Sequence, residues 1–151
     1  MKNIRLLISV IALAFVAGCT TAPSTTTVSA KVAQICLQVP GDVQLVLIPV
    51  LQHNPKYAPG VLLLGNTLPS LLQNGPIDAA SIAGAIAQIP GLTAQERQDL
   101  VYVQVGLPAA LQLYEAISGK STVLYTDPNV SAIVNAFCSG LVGAAKAIPQ
   151  S

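Results

Sequence analysis

The chain has 151 residues, of which 52% are hydrophobic and only 9% charged, with seven Lys and Arg against six Asp and Glu. Soluble domains usually carry about a quarter of their residues as charges, so little here keeps one surface apart from another. The chain lacks a basic stripe for phosphates, which speaks against nucleic acid as a partner. Its aliphatic content excludes disorder for the body of the chain. An exposed apolar area that meets lipid, a partner or a second copy is therefore expected.

The chain opens with Met1-Lys2-Asn3-Ile4-Arg5, an apolar run from Leu6 to Val16, and then Val16-Ala17-Gly18-Cys19. Two cations, a short apolar stretch and small residues ahead of a break are the parts of an export signal. The run is too short to span about 30 Å of hydrocarbon. Its end resembles the lipobox of bacterial lipoproteins, in which a large aliphatic and two small residues precede a cysteine. Small side chains let a peptidase reach the backbone, and only a cysteine thiolate attacks the lipid donor readily. The resemblance covers residues 1–20 and implies removal of 1–18, a diacylglycerol on the Cys19 sulfur and a fatty acyl group on its nitrogen. Two or three acyl chains make such an attachment effectively permanent. Family behaviour places the protein in the envelope facing the periplasm. Thr20, where inner-membrane lipoproteins tend to carry Asp, favours the outer membrane.

The mature chain, roughly 130 residues, suits a single domain. Without Lys2 and Arg5 it keeps five cations and six anions. Residues 19–27 read as the lipidated cysteine and a flexible, Thr-rich tether, and 28–151 as one helical domain. The eight residues Thr20–Thr27 reach at most about 27 Å, so the domain is expected close to the bilayer.

From Val28 onward, prolines cut the chain into short pieces with mostly helical periodicity. Val28, Val32, Ile35, Cys36 and Val39 share one face of a first helix, which Pro40-Gly41 should stop. Asp42 is then a plausible N-cap for a second segment, Val43–Gln52. That segment also fits a buried strand, but Pro49 suits a helix better than a central strand. Segments near Tyr57–Gln73 and Asp78–Ile89 follow. Thr93-Ala94-Gln95-Glu96 is a capping box opening a helix to about Ser118, which Pro108 should kink or split. Asp127-Pro128 caps and starts a last helix running to about Ile148. The expected fold is all-α, a compact bundle of five or six short, proline-delimited helices. Leu68-Pro69 and Leu107-Pro108 open similar stretches, and Pro-Gly recurs at 40, 59 and 90. Their unequal spacing does not support a solenoid.

Cys36 and Cys138 are an even pair on apolar helix faces, in a compartment expected to be oxidising. A disulfide between them would pin the first helix to the last and contribute roughly 4–5 kcal/mol. The alternative is two buried thiols packing as small hydrophobes. His53 lies in a polar turn with neither an orienting carboxylate nor a nucleophile nearby in sequence. Gly119-Lys120-Ser121-Thr122 copies the end of a phosphate loop, but Tyr114 stands where a glycine is required. Glu96 and Asp99 suit the first turn of a helix, and Glu115 and Asp127 form no pair with them. Ala136, Gly140 and Ala144 allow a close helix approach, in the core or between copies.

No catalytic residue, cofactor, metal ligand set or nucleotide site is therefore assigned. The sequence reads as a non-catalytic lipoprotein: an interaction module held by its membrane anchor, acting on an envelope protein or on itself. Secretion pilotins and the exclusion lipoproteins of prophages are small helical proteins of this general kind. The expected contact patch is aliphatic: Val61, Leu62, Leu63, Leu64, Leu68, Leu71 and Leu72. A carrier with an enclosed pocket for an apolar ligand or lipid is the competing reading.

Overall fold

The computed structural model describes residues 25–73, 75–89, 93, 94, 97, 100–120 and 123–149. The signal segment, Cys19, Glu96, Asp99, Ser121 and Thr122 lie outside these described residues. Five α-helices are described: α1 (Thr25–His53), α2 (Ala58–Leu71), α3 (Ala79–Ala87), α4 (Val101–Ser118) and α5 (Pro128–Lys146). A 3-10 turn, Pro55–Tyr57, joins α1 to α2. The fold is all-α. The described residues hold no strand, only an isolated antiparallel bridge between Pro76 and Leu124. Beside it the Ile77 N–H donates to the Val123 carbonyl at 2.8 Å.

The sharpest correction concerns α1. Pro40-Gly41 does not end it, and one helix runs from Thr25 to His53 with Pro40 and Pro49 inside. Asp42 is accordingly mid-helix and caps nothing, and the tether gives way to helix at Thr25 rather than after Thr27. An interior proline costs about 3 kcal/mol in an isolated helix, and here packing offsets it. α5 lies directly against the Pro40 turn, where a Cβ on Gly140 would stand 3.0 Å from Pro40 Cα and 2.7 Å from Val43 Cβ. Pro69 and Pro108 are likewise carried inside α2 and α4.

α4 also differs from expectation at its start. The Arg97 N–H donates to the Thr93 carbonyl at 3.1 Å, one helical turn. Leu100 (φ −79°, ψ 16°) then separates that turn from α4. By contrast, Asp127 caps α5 through the Asn129 N–H, with Pro128 in the first turn as the sequence indicated. Asp78 caps α3 reciprocally with Ser81: each side chain accepts from the other's backbone N–H, at 2.7 and 2.8 Å.

α5 occupies the middle of the bundle. Gly140 and Gly143 meet Pro40, Val43 and Gln44 of α1, while Cys138, Leu141 and Val142 surround Gly65 of α2. Gly106 of α4 abuts the Phe137 ring. With about 100° per residue, these contacts put α1 and α2 on opposite sides of α5 and α4 between them. The Ala136-Gly140-Ala144 stripe is therefore filled by α1, a core role. Among the described residues the core is purely apolar, from Val32 and Val39 through Leu64, Ile82 and Leu107 to Ile133 and Leu141.

Candidate functional site

The aliphatic patch expected on α2 is not a surface. Val61, Leu64, Leu68 and Leu72 are buried, and Leu62, Leu63 and Leu71 pack half-buried against the same core. The physical reason is α5, whose side facing α2 covers that run of leucines. The exposed aliphatics lie elsewhere. Leu37 is 81% exposed and Leu45 77% exposed, both on α1. Ala33, Gly41 and Pro49 are also exposed, so positions 33, 37, 41, 45 and 49 form a four-residue-spaced apolar line. Gln34, Gln38 and Asp42 flank it. Sequence reasoning missed this line because it split α1 at Pro40, and only a continuous helix joins Leu37 to Leu45.

The expected disulfide is absent: Cys36 is a half-buried free thiol and Cys138 a buried one. Burial pushes both thiols up, Cys138 to about 12. The reason lies in helix phase. Gly140 marks the side of α5 that meets α1, and Cys138, about 200° round the helix from it, sits on the side that meets α2. Cys36, one turn before Pro40, belongs to the other interface. Both thiols pack as small hydrophobes.

The polar groups make one local cluster. The Tyr114 hydroxyl donates to Asp127 Oδ2 at 2.8 Å, and the Asn129 N–H donates to Oδ1 at 2.9 Å. Lys120 Nζ also pairs with Oδ2. Burial alone would raise the Asp127 carboxyl, but the Lys120, Tyr114 and Asn129 donors together hold it below the usual range. The same pairing raises the exposed Lys120. This cluster joins α4 to the start of α5, and its chemistry is structural. A depressed carboxyl stabilises the fold above its unfolded value and loses that contribution as pH falls through the folded one. Asp127→Ala should therefore cost about 2 kcal/mol at neutral pH and much less at pH 2, read by urea unfolding at both pH values. An equal loss at both would show that the carboxylate charge contributes nothing.

His53 is exposed in the last turn of α1 and makes no ion pair among the described residues. Gly119 closes α4 as a left-handed C-cap at φ 70°, its N–H donating to the Glu115 carbonyl at 2.8 Å. That conformation explains the glycine without a phosphate. No cluster of three metal-ligating side chains occurs among the described residues.

One cavity of about 50 Å³ lies between α1, α4 and α5, lined by Val39, Val43, Leu47, Tyr102, Gly106 and Phe137, with Asp42 beside them. Burial raises the Asp42 carboxyl and pushes the Tyr102 phenol well up. The Tyr102 hydroxyl is buried without a hydrogen-bond partner. A space of this size is far too small for an acyl chain.

Together these features define a helical bundle whose most exposed large aliphatics among the described residues, Leu37 and Leu45, lie on α1. No family model, curated protein sequence or solved structure matches the chain.

Proposed function

We propose that this protein is a non-catalytic lipoprotein of the bacterial envelope, held at the outer membrane through Cys19 and working by contact with another envelope component. In class it is pilotin-like or exclusion-like: a small helical domain whose surface, not a reaction, is its output. The observation that supports this most is the bare face of α1, where Leu37 and Leu45 stand 81% and 77% exposed beside a fully apolar core. Leu37 and Leu45 stand well above the other exposed aliphatics, Val50, Val105 and Leu124 at 40–44%, and mark a surface that meets something. The carrier reading is supported by the small cavity beside Tyr102, but that space is only about 50 Å³. The larger hollow of about 480 Å³ beside Lys120, Leu124 and Asp127 is open to solvent and half polar in lining. It is unlike the enclosed, mostly apolar sites of roughly 300–1,000 Å³ that take small apolar ligands.

Cys19→Ser is the direct test. The wild-type chain should sediment with outer membranes, and the variant should keep its signal segment unprocessed and carry no acyl group by mass spectrometry. Processing and acylation that persist in the variant would overturn the anchor. Organic extracts of the purified mature domain, made without Cys19, should hold no lipid at one per protein. Stoichiometric lipid would replace contact with carriage.

A further inference from the structure

We propose that the outer face of α1 lies on the lipid surface itself, along the bilayer to which Cys19 is attached; this deepens the contact reading above and rests on it. Three observations carry the assignment. The first is distance. Cys19 stands six residues before Thr25, the first residue of α1, and six residues reach at most about 20 Å. Wherever the acyl chains of Cys19 are buried, the first turns of α1 are close to the same leaflet.

The second is composition. An 18-residue stretch within Ser29–His53 has a mean hydropathy of 1.4, enough by length and composition to enter a membrane. Only 22% of that stretch is buried in the bundle, and Lys31 and Asp42 are the only Asp, Glu, Lys or Arg residues between Ser29 and His53. Crossing is ruled out by packing, since one side of α1 is closed against Gly140 and Gly143 of α5. A helix with one side in a protein core and the other carrying exposed leucines beside Gln34, Gln38 and Asp42 can lie along an interface but not through it.

The third is tethering. A specific protein interface takes about 800 Å² from each partner. A surface already held by acyl chains needs no such area, because attachment has made the second contact intramolecular.

The chain contains no tryptophan, so a single one reports its surroundings without background. Leu37→Trp and Leu45→Trp place it on the exposed line. Asn66→Trp, on the exposed side of α2 across α5 from α1, is the control. The acylated mature protein is reconstituted into phosphatidylethanolamine and phosphatidylglycerol vesicles with brominated acyl chains. Emission from positions 37 and 45 should shift to the blue and fall by roughly half, as for a helix seated about 5–10 Å into the headgroup boundary. Emission from position 66 should not change.

A chain that sediments with the vesicles while positions 37 and 45 stay as bright as position 66 overturns the lipid contact and leaves the anchor standing. A blue shift that grows with protein concentration in the unacylated protein, without vesicles, assigns the face to a second copy and also overturns it. A chain with no acyl group at Cys19 that stays in solution removes both readings.

Discussion

Gly140→Val should cost about 3 kcal/mol in urea unfolding, close to the upper end of ordinary overpacking. A Cβ at position 140 would stand 2.7 Å from Val43 Cβ and 3.0 Å from both Pro40 Cα and the Pro40 carbonyl oxygen. Two of those three neighbours are backbone, so no side-chain rotation relieves the contact. α1 and α5 must move apart, and that movement opens the largest helix pair in the fold. A better helix propensity at position 140 returns no more than about 1 kcal/mol. Gly84, exposed on α3 with nothing within 4 Å of its Cβ position, supplies the comparison. Gly84→Ala should be neutral or stabilise by up to about 1 kcal/mol. If Gly140→Val proved as mild as Gly84→Ala, the close approach of α1 and α5 would be wrong.

Leu68→Ala should destabilise by about 2–5 kcal/mol, whereas Leu37→Ala should change stability by less than about 0.5 kcal/mol. Leu68 is fully buried at 0% exposure, inside the cluster that α2 shares with α5. Truncation there removes contacts on all sides and leaves a cavity that rigid neighbouring helices cannot refill. Leu37, at 81% exposure, has almost nothing to lose. The pair separates two maps of the surface, because a contact patch on α2 would reverse the order. Thermal or urea midpoints of the two variants decide between them, and a harmless Leu68→Ala would return the leucine run of α2 to the outside.

The fold class was legible in the sequence because its signals are local. Asp127-Pro128 marks the start of α5 through a side-chain acceptor and a fixed φ. The spacing of Val130, Ile133, Val134, Phe137 and Leu141 then shows the buried face. Gly119 could be refused as part of a phosphate loop from the residues before it, and its left-handed φ supplies the positive reason. The path of α1 was not legible. Pro40-Gly41 reads as a stop, and only the approach of Gly140, about 100 residues later in the chain, compensates for the missing hydrogen bond.

The candidate site failed for a related reason. Val61-Leu62-Leu63-Leu64 shows an apolar run but not its cover, which is a second helix chosen by tertiary packing. Cys36 and Cys138 were rightly placed on apolar faces. Periodicity gives no information on whether two such faces turn toward each other, and here they belong to different interfaces.

The central place of α5 sets an order of assembly. α1 and α2 close on each other only through a helix that follows all the others in the chain, so most of their leucines have no dry environment until it is synthesised. Contacts of such long sequence separation form slowly, and until they form the nascent chain presents its greasiest stretches to whatever is near. In the finished fold, α1 and α2 meet their shared core only across α5.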